Sequence, residues 1–347
     1  MNKSCATYHQ NDIEAFPDHI QIYNLQAEIN RSKSLPIRYT NRMLYLYTSI
    51  VHMKYFLNII AVVLIAQVSF GQSNEKKYKE EIKQWDAKRI ESLKSATGWV
   101  NLAGLFWLEP GENKFGAAAE NQLVFNDPRF PAHLGTFILT DKEVIWKTNP
   151  GNEVFNKQQQ VEQTTIFDLG KNQGIQLAYK TFRWTIIKRE DKVGVRFRDL
   201  DHPNLKTFNH IERFNVSPKW SINAKLEPSL YASVPITNVL GQTYQMPSPG
   251  KIVFEIDGKK YKLDAVDEGG EDLFILFGDE TNAAYSYESG RFLYIPKPDA
   301  EGKTVIDFNK AINPPCAFST FATCPLPPKQ NVLPIAITAG EKRVHLK

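Results

Sequence analysis

From Trp99 onward, apolar and polar residues alternate with period two in short runs, each bounded by Gly, Pro, Asn or Asp. That rhythm predicts strands near 99–105, 122–125, 136–139, 143–147, 164–168, 174–179, 182–189 and 193–198. Between Leu200 and Lys219, Asp201, His202, Pro203, Asn204 and Pro218 interrupt the pattern and mark a boundary. A second set of strands is then expected at 251–256, 259–265, 273–277, 291–295, 305–308 and 334–338. The pair Asp257-Gly258 separates the first two of these, and Asp-Gly supplies the positive φ angles of a type I′ hairpin turn. Ahead of the strands, Tyr78, Ile82, Trp85, Ile90 and Leu93 recur at helical spacing among lysines and glutamates, predicting a helix over 75–97. Ser73 or Asn74 is its expected cap, and Gly98 the left-handed residue that ends it.

The expected fold is therefore all-β and mainly antiparallel: an N-terminal helix (72–97), a β-sandwich (98–204) and a second β sandwich or barrel (205–347). Residues 1–71 read as a leader. From Met53 the chain runs MKYFLNIIAVVLIAQVSFGQ, with one lysine, an apolar run over 55–65, then small residues Ser69 and Gly71. This is the pattern of an export signal at 53–71, cleaved after Gly71. The 52 residues before it suggest that translation begins at Met53. A retained membrane anchor is the alternative, but Lys54 divides the apolar stretch, and a span takes about 20 apolar residues.

Charge adds little. The leader holds six basic and four acidic residues of the chain's 42 and 38, so residues 72–347 carry a net charge of +2. No basic imbalance argues for nucleic acid. No GxGxxG, GxxxxGK[ST] or GxSxG is present, and no HExxH or HxH motif argues for zinc. His133, His202, His210 and His345 are scattered. The acidic run Asp264–Asp272 lacks the order of a calcium loop and reads as a charged hairpin tip. No metal or cofactor is expected.

The least ordinary stretch is DFNKAINPPCAFSTFATCPLPP, residues 307–328. Pro314, Pro315, Pro325, Pro327 and Pro328 fix φ and remove donors, so the segment resists both helix and central strand. Cys316 and Cys324 are the only cysteines after the leader; in an oxidising compartment such a pair is more often a disulfide than a catalytic pair. A thiol nucleophile at Cys316 and half a metal site remain the alternatives. Asp307, Asn309 and Asn313 stand at the entry to this loop, where short polar side chains either bond the loop's own backbone or face a ligand. Arg291 is placed to meet Asp307 across neighbouring strands. These four are the candidate ligand-binding residues.

The order GWVNLAGLFWLEPGENKFG, NVLGQ, MPSPG, ESGRFLYIP, DFNKAINPPCAF, ATCPLPP and a terminal AGEK resembles domain-of-unknown-function family 1684, over nearly all of residues 82–342. The resemblance implies a bacterial protein, exported or cytoplasmic, and brings no activity with it. A weaker likeness, LEPGENKFG to GTFIL over 105–139, is similar in spacing to a forkhead-associated sandwich. Ala117 and Ala118 stand where that fold carries its phosphate-gripping residues, so only the sandwich is implied.

The functional expectation is a non-catalytic periplasmic or secreted binding or accessory protein. Its cleft would lie between the β units, walled by the stapled loop, and would take a glycan or other envelope ligand on some of its six tryptophans. A cell-envelope hydrolase using Cys316 or Asp307 with Arg291 is one alternative. A structural module docking on another envelope protein is the other. The sequence does not fix an oligomeric state.

Overall fold

The structure, a computed structural model, describes the backbone of residues 37–344 and the side chains of 45–56 and 73–344. Residues 1–36 of the leader expected over 1–71 lie outside the described residues, as do His345 and the side chains of 57–72, which take in most of the export signal at 53–71. Two compact units are present, residues 1–74 and 75–347. Helix α1 (Ile37–Lys94) is continuous through Ser73 and Asn74, so neither caps a helix start. Among the described residues no helix is long and apolar enough to cross a membrane.

The helical stretch 75–94 buries Ile82 and Leu93 at 1% exposure, as its apolar spacing predicts. Its end has a different cause from the one expected. Gly98 is not left-handed; a Cβ there would stand 2.0 Å from the Leu93 carbonyl oxygen. Glycine is needed for close approach of backbone to backbone.

Twelve strands follow in the first β body: β1 (Leu102–Trp107), β2 (Gly111–Gly116), β3 (Leu123–Val124), β4 (Gly135–Leu139), β5 (Glu143–Thr148), β6 (Phe155–Asn156), β7 (Gln159–Gln160), β8 (Gln163–Asp168), β9 (Gln173–Gly174), β10 (Leu177–Tyr179), β11 (Phe182–Arg189) and β12 (Lys192–Asp199). They form two sheets, ordered β1-β12-β11-β10-β6-β7 and β3-β2-β4-β5-β8-β9. Every pair is antiparallel except β2 with β3. Phe115, Phe137, Trp146, Phe182, Trp184 and Phe197 point inward from both sheets and are fully buried. Ring contacts such as Trp146–Trp184 at 5.2 Å and Phe115–Phe197 at 5.4 Å join the layers. Offset and edge contacts of this kind add about 0.5–1.5 kcal/mol each beyond area burial.

The second β body holds β13 (Ser221–Pro228), β14 (Ser233–Thr237), β15 (Thr243–Pro247), β16 (Gly250–Ile256), β17 (Lys259–Ala265), β18 (Asp272–Phe277), β19 (Arg291–Pro296) and β20 (Lys303–Asp307). One sheet runs β17-β16-β13-β20, and two hairpins, β14-β15 and β18-β19, stand beside it; no closed barrel forms. Asp257 and Gly258 take φ angles of 49° and 76°, the double positive φ that a type I′ turn requires. The strand expected at 334–338 does not form. Arg291 takes the Ile337 and Ala339 carbonyls in its place, so a buried side chain does the work of a ladder partner.

Candidate functional site: the cleft under the stapled loop

Each of the four residues picked from the sequence is buried: Arg291 and Asn313 at 0% exposure, Asn309 at 1% and Asp307 at 8%. The expected Arg291–Asp307 pair does not form, because β20 pairs with β13 while β19 pairs with β18. Arg291 instead donates to Asp279 Oδ2 at 2.7 Å and to the Ile337 carbonyl at 2.9 Å. Asp307 caps a short 3-10 turn by accepting from the Asn309 backbone N–H at 3.1 Å, and it accepts from the Tyr78 hydroxyl at 2.8 Å. Burial, then that contact with Asp307, raises the Tyr78 phenol well above its ordinary range.

Asn309 is saturated. Its Nδ2 donates to Tyr78 Oη and the Ser217 carbonyl, each at 2.9 Å, and its Oδ1 accepts from Ser217 N at 3.1 Å. Asn313 gives its backbone N–H to Glu341 Oε2 at 2.6 Å and its Nδ2 to the Lys342 carbonyl at 2.7 Å. Arg89 completes this region, reaching Glu341 at 3.2 Å and the Asn313 carbonyl at 3.0 Å. Arg213 pairs with Asp86 at 3.0 Å. The structure thus brings Asp307 and Asn309 together, and joins Asn313 to Glu341. Tyr78 and Arg89 thereby hold the helix against residues 307–313 and Glu341.

The loop beyond them is different. Cys316 and Cys324 are joined by a disulfide, with Cα atoms 6.1 Å apart. Closing so short a loop restricts the unfolded chain by about 2.5 kcal/mol in the entropy model. The stapled segment forms one wall of a cleft of about 540 Å³, within the roughly 300–1,000 Å³ of small-ligand sites. Residues 316–321 face Val100, Leu102, His202 and Asn204 of the first β body, and Tyr287, Glu288 and Arg343 form the third side. None of the four candidate residues borders this cleft or the three other described cavities.

Within the cleft, Phe318 is committed to packing: it meets Phe208 at 5.8 Å and the Arg89 guanidinium at 5.5 Å. Phe321 is 37% exposed. Ser319 Oγ donates to the Leu102 carbonyl at 3.4 Å, which ties the loop to the first β body. Arg343 Nε lies 3.5 Å from Glu288 at the half-open mouth. His202 Nδ1 accepts from the Asn204 backbone N–H at 3.2 Å. Burial lowers the His202 imidazole, Asp199 pulls it back up, and Arg129 adds to the lowering. Among the described residues no group of three or more His, Cys, Asp or Glu is arranged to hold a metal ion.

The stapled loop lines the cleft, while Arg291, Asp307, Asn309 and Asn313 are buried away from it. Asp201-His202-Pro203-Asn204 was readable as a boundary; the same composition is what a functional loop on a rigid scaffold shows. Tyr287 and Arg343 carried no signal of their own.

Residues 206–342 match the family described as Protein of unknown function (DUF1684). The match takes in the second β body with its stapled loop. It is narrower than the resemblance over 82–342, and leaves the helix and first β body outside. Of the residues around the cleft, 316–321 with 287 and 288 fall within the matched stretch, while Val100, Leu102, His202, Asn204 and Arg343 fall outside it. A solution structure of an uncharacterized protein from Haloarcula marismortui is similar at 27% identity, over 40% of this chain and 78% of its own, with a TM-score of 0.34. No curated protein matches the chain.

Proposed function

We propose that this protein is a non-catalytic binding or accessory module of the cell envelope, and that its ligand sits in the cleft beneath the Cys316–Cys324 loop. The observation that carries the reading is the cleft itself, built from both β bodies and braced by a disulfide. Its exposed Phe321 ring and the polar groups of Asn204, Ser319, Thr320 and Arg343 suit a sugar, which takes an apolar stacking face together with hydroxyl partners. The disulfide and the apolar run at 55–65 support export. A hydrolase is less well supported. Cys316 has no free thiol while bonded to Cys324, and a thiolate is the nucleophile such chemistry needs. Arg291 is committed to Asp279 in the interior, so it has no open position facing developing charge. Titration calorimetry against cell-wall and surface oligosaccharides tests the proposal. Saturable binding to at least one is expected, and its absence from every class would remove the reading.

A further inference from the structure

Arginine pairing divides the molecule unevenly. Nine arginines have described side chains, and Arg89, Arg129, Arg213, Arg291 and Arg343 each have a carboxylate between 2.6 and 3.5 Å away. The other four share one hairpin, Arg183 and Arg189 on β11 and Arg196 and Arg198 on β12. None of these has an ion pair among the described residues. In the β11–β12 register Arg198 lies opposite Arg183, Arg196 opposite Thr185, and Lys192 opposite Arg189. Side chains two apart share a face, so five basic groups stand on one side of the sheet with Thr185, Ile187 and Gly194 between them.

Neutral acceptors hold the outer members. Arg198 Nη1 donates to Asn101 Oδ1 at 2.8 Å and to the Gly98 carbonyl. Arg189 Nε donates to Thr323 Oγ1 at 3.3 Å, and its Nη1 to the Lys188 carbonyl at 3.0 Å. Such bonds fix geometry and leave the charge uncancelled. Arg196 lacks even these. Its guanidinium lies 5.0 Å from the Trp99 ring centroid, and its Nε is buried with no hydrogen-bond partner. The residue as a whole is half-buried, and a charge drawn out of water is ordinarily paired, because an unpaired one forfeits its hydration. Burial lowers the Arg196 guanidinium to about 10, and repulsion from Arg189 and Arg198 adds to the shift.

We propose that this face, centred on Arg196 with Thr185, Arg189 and Arg198 around it, binds an oxyanion: a phosphate or sulfate group, free or carried on a sugar. A planar guanidinium recognises such a group through two parallel N–H donors, and Trp99 stacking fixes its plane. Glu190 and Glu268 border the neighbouring cavity of about 320 Å³ that Arg189 also lines. The anion seat is therefore at Arg196 and not in that cavity. At the other end of the row, Arg198 pairs in register with Leu102, which lines the cleft under the stapled loop.

The test is calorimetric and thermal titration of the full chain with inorganic phosphate and with glucose 6-phosphate, in low-salt buffer. Phosphate is expected to raise the melting temperature of the wild type, and Arg196→Gln to weaken binding by roughly tenfold or more. Without anion, Arg196→Gln should melt no lower than wild type, since it removes an uncompensated charge. Tighter binding of glucose 6-phosphate than of phosphate identifies a sugar-borne group; equal binding identifies the free ion. Should Arg196→Gln fail to fold, Thr185→Glu places a carboxylate opposite Arg196 and is expected to abolish phosphate binding while raising the melting temperature. Phosphate that binds no better than chloride, or binds Arg196→Gln or Thr185→Glu as well as wild type, overturns the proposal.

Discussion

Asn309 touches three parts of the chain at once: Tyr78 on the helix, Ser217 before β13, and Asp307 at the end of β20. Its amide is buried, so truncation leaves donors and acceptors without water to replace it. Asn309→Ala is expected to cost about 2–3 kcal/mol of stability in urea denaturation, with ligand binding unchanged in the surviving folded fraction. His202 gives a pH signature. Its folded pKa is depressed by burial, so the fold favours the neutral ring. That contribution is complete above the unfolded value of about 6.5 and is lost as pH falls through the folded one. Melting temperature should therefore drop on acidification below about pH 6.5, and His202→Gln should remove this part of the slope. Legibility at this scale was partial. Arg291, Asp307, Asn309 and Asn313 were recognisable as polar residues at a rigid loop. Whether a short polar side chain faces backbone or ligand depends on chain crossings hundreds of residues apart, such as Tyr78 with Asp307, and spacing carries no record of those.

Elements were legible wherever one face is buried. β11 alternates cleanly at its start, and the β16–β17 hairpin announces itself through Asp257-Gly258. β13 did not, since Ala224 is its only buried residue and alternation had nothing to show. β14 carries Pro235 in its interior, which argues against a strand except at an edge; among the described residues its only sheet partner is β15. β2, within PGENKFG, was not among the expected strands, because its first residues are exposed and show no alternation. The stapled loop was legible from Cys and Pro content alone. Replacing both cysteines by serine should lower stability by about 2.5 kcal/mol in the chain-entropy account, read from denaturant midpoints of oxidised protein. A loss below 0.5 kcal/mol would mean that neighbouring contacts, such as Ser319 with Leu102, already hold the loop (order of magnitude from the same account).

Across the whole molecule, the two β bodies, the helical residues 75–94 and the chain's end meet through charge as well as packing. Glu341 is fully buried and accepts from Arg89 and from the Asn313 backbone. Burial raises its carboxyl while Arg89 and Arg213 oppose the shift. Glu341→Ala leaves Arg89 facing the interior without its carboxylate and is expected to cost about 3–5 kcal/mol, measured by chemical denaturation, with earlier proteolysis within residues 75–94. Two sheets closing on one aromatic core were foreseeable from alternation. A cleft between the stapled loop and residues 100–102 and 202–204 was foreseeable only in outline, because its walls come from segments far apart in sequence.

Filling that cleft is the most direct trial of the account. Ser319→Trp puts a large ring into the space between the loop and Leu102. In calorimetry with the oligosaccharide that binds wild type best, the variant should show at least a tenfold weaker association, a change of about 1.4 kcal/mol, while its circular dichroism spectrum stays that of the wild type. Undiminished binding by a correctly folded Ser319→Trp protein would contradict the placement of the ligand.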